Sequence, residues 1–120
     1  MEAFFDEQHH PLVKLTVSGS KKKRLITAIF DTGFDGFLSI PITTAIALGL
    51  ELSSVIRAQY ADGRVAEELE FNAYVELDGH TQKVKATLTG SVEALAGTQL
   101  FAKKKVSLDF LHKSIRISDA

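Results

Sequence analysis

An acid placed at the end of a buried strand limits what the rest of this chain can do. Ile26-Thr27-Ala28-Ile29-Phe30-Asp31-Thr32-Gly33-Phe34-Asp35-Gly36-Phe37-Leu38-Ser39-Ile40-Pro41 carries that arrangement. Residues 25–30 are apolar and β-prone and read as a buried strand. The strand delivers Asp31 into a Gly-containing turn, and Phe37-Leu38-Ser39-Ile40 leaves as a second extended segment. A carboxylate there is costly unless it is paired or hydrogen-bonded. One reading is a tight Asx-type turn in which Asp31 and Thr32 bond the local backbone. The hydrophobic residues before Asp31, with a strand and Pro41 after the turn, make a longer pattern than three letters and favour a functional acid.

Composition narrows the field. A chain of 120 residues supports one domain with a real core. Apolar residues make up 45% and charged residues 24%, which argues against disorder. The net charge of −1 gives no reason to expect nucleic acid or an anionic membrane as a partner. Without Cys there is neither a disulfide framework nor a thiolate metal site. No basic region followed by an apolar run opens the chain, and no apolar stretch approaches the ~20 residues of a membrane helix. The expectation is a soluble cytoplasmic protein.

Along the chain, residues 1–10 read as a loosely ordered lead-in. His9 and His10 stand together, but His80 and His112 add no ligand-like spacing, so surface histidines are expected and no metal. Residues 12–17 alternate as a strand, and Ser18-Gly19-Ser20 marks a turn. Lys21-Lys22-Lys23-Arg24 lies between two strand patterns and reads as a solvated hairpin tip. After Pro41 a short helix is predicted over residues 42–49, stopped by Gly49. Residues 53–60 and 64–71 form a predicted hairpin around Ala61-Asp62-Gly63-Arg64. A second hairpin pairs residues 71–77 with 82–89 across Asp78-Gly79-His80-Thr81. Residues 90–96 are a loop or short strand, 97–103 a brief helix, and 104–110 and 114–117 closing strands. Many short strands with one or two small helices read as a mostly-β closed barrel.

The Asp-Thr-Gly turn with these flanks resembles the aspartic proteases of the pepsin and retroviral-protease clan. Phe34 after the Gly makes it most similar to a prokaryotic branch of single-domain, retropepsin-like proteins. Leu95-Ala96-Gly97-Thr98-Gln99-Leu100-Phe101 and Val106-Ser107-Leu108-Asp109-Phe110 match the clan's second element, a hydrophobic-hydrophobic-Gly crossing that opens a helix and leads to a strand ending in Asp-Phe. Ala61-Asp62-Gly63 lies where the family carries its flap. The resemblance spans roughly residues 12–118 and implies a single domain with a retropepsin-type barrel. Two positions depart from it: Phe34 stands where Ala or Ser is usual, and Ala96 where Leu is commoner. Phe34 is expected to occupy cleft volume, with Ala96 compensating in packing.

The resemblance implies an aspartic endopeptidase with Asp31, Thr32 and Gly33 as its catalytic turn and no cofactor. Its implied substrate-contacting residues are Phe34, Asp35, Tyr60, Ala61, Asp62, Gly63, Leu95 and Gly97. The chemistry needs two carboxyls sharing a proton, and this chain holds one Asp-Thr-Gly and no Asp-Ser-Gly. The expected active form is therefore a homodimer acting on a peptide or protein substrate. Its sheet would be built from residues before Leu12 or from residues 114–120. Two other readings use the same residues: an inactive β-barrel serving as a protein-binding or regulatory module, and a monomeric binder of a small ligand.

Overall fold

In the computed structural model, which describes residues 1–119, strands dominate. They are β1 (Glu2–Phe5), β2 (Pro11–Ser18), β3 (Lys23–Phe30), β4 (Leu38–Pro41), β5 (Glu51–Gln59), β6 (Val65–Leu77), β7 (His80–Thr89), β8 (Ala94–Ala96), β9 (Lys105–Asp109) and β10 (Ser114–Ser118). Helix α1 (Ile42–Leu48) and a 3-10 turn (Thr98–Phe101) are the helical elements. Strands β2, β3, β8, β4, β7 and β6 neighbour one another in that order, and β6 returns to β2 through Thr16↔Glu76, Val17↔Val75 and Ser18↔Tyr74. This six-stranded closed barrel with short helices is the fold class expected from the sequence.

Alternation sets the register. Val13, Leu15 and Val17 of β2 are buried, as are Ala73, Val75 and Leu77 of β6 and Val84 and Ala86 of β7. A slip of one residue would turn each of these sets to solvent. Leu38 and Ile40 of β4 fill the centre with Leu48 of α1 and Leu100. Gly49 ends α1 in the left-handed region, at φ 73°. The β2–β3 tip folds onto that helix end: Ser20 Oγ donates to the Gly49 carbonyl at 2.7 Å, and the Lys21 N–H to the Leu48 carbonyl at 2.9 Å. The basic run is thus a hairpin tip whose backbone satisfies helix carbonyls.

Three local expectations are corrected. Residues 1–10 are ordered: β1 pairs antiparallel with β2 from Glu2↔Lys14 to Phe5↔Pro11. The loop that follows is organised by Asp6, whose Oδ1 accepts the N–H groups of Gln8 and His10, each at 2.9 Å. No periodic signal marks such a loop, since one carboxylate takes the place of a ladder. The segments expected at 64–71 and 71–77 are one continuous β6, which pairs with β5 over residues 65–72 and with β7 over residues 70–77. Finally, the β6–β7 turn is the two residues Asp78 and Gly79, with His80 already opposite Leu77. Both turn residues have positive φ, 50° and 82°, as a tight primed turn requires.

At the other end, β9 and β10 form a separate antiparallel hairpin that lies against β1, where the Phe5 and Phe110 rings meet at 4.8 Å. Lys104 bonds both Asp78 and Asp119, and the Met1 amine lies 3.9 Å from Asp78. The Lys104 ammonium thereby joins the β6–β7 turn to Asp119, and the Asp78 carboxylate also faces the Met1 amine. No helix among the described residues is long and apolar enough to cross a membrane.

The hydrogen bond from Lys104, then its charge, holds the Asp78 carboxyl below its ordinary range. A carboxyl lowered by folding contributes stability that is present above its unfolded value and lost as pH falls through the folded one. Lys104→Met should therefore lower the urea midpoint at neutral pH, and the difference from wild type should vanish on acidification to about pH 2. Urea titrations at a series of pH values check this; a gap that persists undiminished in acid would mean that packing, not the ion pair, is what was lost.

Candidate active site

Strand β3 is parallel to β8 (Ala28↔Ala94, Ile29↔Leu95, Phe30↔Ala96), while β4 runs antiparallel on the other side of β8 (Leu38↔Ala96, Ser39↔Leu95). The loop from Asp31 to Phe37 must therefore arch over the end of β8. It is locked there by backbone bonds. The Asp31 N–H donates to the Ala96 carbonyl at 3.0 Å, and the Gly97 N–H to Phe37 at 2.9 Å. The Thr98 N–H donates to Phe34 at 2.9 Å and the Gln99 N–H to Gly36 at 3.1 Å. The sequence motifs around 31 and 97 are thus brought together, with Leu95 half-buried and Gly97 buried in the join.

Within the turn, Asp31 Oδ1 accepts the Gly33 N–H at 2.8 Å, and the Phe34 N–H returns to the Asp31 carbonyl at 3.2 Å. The Asx-type turn therefore forms, and it fixes the direction of the carboxylate without consuming its second oxygen. Asp31 is half-buried, whereas Thr32, Gly33 and Asp35 are exposed. The acid is presented at the surface of the single chain.

Phe34 folds back into the loop. Its ring carbons would lie 2.8 Å from a Cβ placed on Gly36 and 2.8 Å from one placed on Gly97. The two glycines make room for the ring, a task the sequence had assigned to Ala96. Gly97 is under a second demand, since a Cβ there would sit 2.1 Å from the Gly36 carbonyl oxygen. Thr98, not among the site residues expected from the sequence, completes the join through its N–H; the Gly-Thr pair was its signal.

The β5–β6 hairpin carries the other candidates. Its last strand pair is Gln59↔Val65. The Gly63 N–H donates to Tyr60 at 2.9 Å and the Tyr60 N–H to Arg64 at 2.8 Å, with Gly63 at φ 87°. This is a type I turn followed by a left-handed glycine, a three-residue hairpin loop. Ala61, Asp62 and Gly63 are exposed at its tip. Arg64 Nε donates to Asp62 Oδ2 at 2.7 Å, and its guanidinium lies over the Tyr60 ring at 5.5 Å. Tyr60 OH donates to Glu68 Oε1 at 2.9 Å; this hydrogen bond to an anion raises the phenol above its ordinary value. The sequence placed Arg64 at the tip, but Glu68 was not legible as a partner of Tyr60, because it looks like an ordinary strand-surface charge. The tip's hydrogen bonds run within the hairpin. A concavity of about 270 Å³ lies between it and the barrel, lined by Tyr60, Glu68, Leu69, Thr87 and Leu88.

A barrel of this topology, with a turn-borne acid locked over β8 and a projecting hairpin, is a retropepsin-like fold. Among solved structures the chain is similar to EIAV protease complexed with the inhibitor HBY-793, at TM-score 0.58 and 12% identity, covering 82% of this chain and 90% of that one. No protein-family model matches the chain, and no curated protein does.

Because Gly97 faces backbone, substitution there should be severe. Gly97→Ala should destabilise the chain by at least ~1–3 kcal/mol, the usual effect of overpacking, with the loop carrying Asp31 as the element displaced. Thermal melting with amide exchange at residues 31–37 checks both parts. A variant as stable as wild type would show that the loop does not depend on this contact.

Proposed function

We propose that this chain is an aspartic endopeptidase that works as a homodimer, with one Asp31 carboxyl supplied by each copy. The observation that carries the reading is the Asp31 carboxylate aimed by the Gly33 N–H, at a turn locked over β8 within a retropepsin-like fold. The chemistry follows from two carboxyls sharing one proton. Like charges that close cannot both ionise, so the pair titrates as a unit. The ionised member takes a proton from water as the water oxygen attacks the scissile carbonyl carbon. The protonated member donates its proton to the carbonyl oxygen. Collapse of the tetrahedral adduct then breaks the C–N bond as the amine leaves with a proton.

In this reading Thr32 joins the two turns across the two-fold axis, and Gly33 allows their close approach. Asp35 bonds substrate main chain, Phe34 and Leu95 shape the cleft beside Gly97, and Tyr60, Ala61, Asp62 and Gly63 close over an extended peptide and exclude water. The exposure of Thr32, Asp35 and the hairpin tip in the single chain supports these roles, since each is free to meet a second copy or a substrate.

Asp31→Asn removes the shared proton and little volume. It should lower hydrolysis of casein or a peptide library at least ~100-fold, with the circular dichroism spectrum and sedimentation coefficient of wild type. Wild-type turnover in the variant would eliminate the carboxyl pair. An inert but dimeric wild-type protein would instead identify the barrel as a protein-binding module.

A further inference from the structure

The concavity beneath the β5–β6 hairpin holds a carboxylate that no cation of the described chain neutralises. Glu68, half-buried in its wall, accepts the Tyr60 hydroxyl at Oε1. Among the described residues no hydrogen bond reaches Oε2, and no Lys or Arg pairs with Glu68. The strand register explains this isolation. Glu68 faces Ile56 of β5; Glu70, on the same side of β6, faces Ser54, whose Oγ donates to it at 2.9 Å. From Ser54 to Tyr60 and from Ala66 to Glu70, this side of the hairpin carries two carboxylates and no cation. Arg57 faces Glu67 on the opposite side, Arg64 is tied to Asp62, and Lys85, further along, is held by Ser53 and Asn72. Elsewhere Glu2 and Glu76 each have an ammonium of the chain nearby, Lys14 at 3.4 Å and Lys23 at 3.7 Å. One row of facing residues joins the concavity to the Asp31 turn. Leu95 of β8 faces Ser39 of β4, Ser39 faces Thr87 of β7, and Thr87 faces Glu70. Facing residues put their side chains on one side of a sheet. Thr87 in the concavity wall and Leu95 beside the turn therefore share a surface, two strands or ~10 Å apart, the reach of about three residues of an extended peptide.

We propose that this concavity is a subsite for one arginine or lysine side chain of the peptide, with Glu68 as the residue that sets the preference. The proposal rests on the endopeptidase reading above and names a substrate class for it. At about 270 Å³ the space is smaller than the ~300–1,000 Å³ of sites that enclose a whole small molecule, and it suits a single long side chain. Leu88 and the Tyr60 ring offer apolar wall to the methylenes of such a side chain, and the free Oε2 receives its charged head. The Tyr60 hydroxyl, donating to Oε1, fixes the direction of the carboxylate before the peptide arrives. A neutral side chain of the same length fills the space without meeting the charge of Glu68. An acidic one meets a like charge, so the subsite discriminates by repulsion as well as by attraction.

Arginine and citrulline differ in charge but hardly in shape, so comparing them isolates the carboxylate's contribution. Short peptide pools, each with one position fixed as arginine or as citrulline, are scored in two ways: by hydrolysis, and by fluorescence anisotropy for binding. At one position the arginine pool should be cleaved and bound better than the citrulline pool by about tenfold or more, the usual weight of a hydrogen bond to a charged group. Glu68→Gln keeps the volume and an acceptor for Tyr60, so it should fold as wild type by circular dichroism and lose the preference. Glu68→Lys should turn the preference at that position toward glutamate. The wild-type comparison stands even where a variant does not fold. No arginine preference at any position, or one that survives Glu68→Gln, overturns the subsite while leaving the endopeptidase reading in place. A wild-type protein that cleaves no pool overturns the endopeptidase reading, and binding then decides the subsite by itself. An arginine preference in binding that Glu68→Gln removes upholds it; equal or absent binding of the two pools overturns it.

Discussion

The backbone contact between Gly97 and the loop arching over it is the constraint on which the site depends. A loop whose residues are about sixty positions away in sequence closes on residues 96–99 through four main-chain bonds. Glycine at 97 is what permits the approach, because any Cβ would overlap the Gly36 carbonyl. The contact places three-residue β8 between β3 and β4, and so completes the barrel at the point where Asp31 emerges. Fold closure and the aim of the carboxylate are therefore one structural event. Backbone bonds of this kind tolerate wide variation in side chains, which fits a fold shared at 12% identity with EIAV protease.

Phe34 shows how a bulky side chain fits beside such a join. Gly36 and Gly97 leave its ring a place to lie against the loop backbone. The turn thus carries its own ring as packing beside Gly36 and Gly97. The carboxylate itself needs no partner within the chain: half-exposed and bonded to one N–H, it avoids the penalty of an unpaired buried charge. A single copy can thus fold with its acid in place.

The strands outside the barrel divide their work. β1 extends the barrel sheet beyond β2, and the β9–β10 hairpin lies against it as a separate pair of strands. The β5–β6 hairpin projects with a tip tied only to itself, and its paired Val55 and Leu69 are exposed, as is Val65 nearer the tip. An apolar surface held out on a hairpin is available to whatever lies below it. A surface drawn into the core would not be.

The pairing of the acid-bearing turn with a later glycine was what the family resemblance implied, and the sequence by itself determined the barrel class, most strand positions and the helix ended by Gly49. These follow from short-range rules: alternation over a few residues, a proline before a helix, a left-handed glycine after it, and an Asx turn two residues long. Tertiary structure alone decided what depended on distant partners. Asp6 ordered the first strand's exit through bonds no periodicity announces, β6 ran unbroken because β5, β7 and β2 share it, and Tyr60 found Glu68 across the hairpin. Gly36 and Gly97 took the role expected of Ala96 because the backbone brought them under the Phe34 ring. Local propensity is set by neighbours in the chain, whereas a close backbone approach is set by the whole closed barrel.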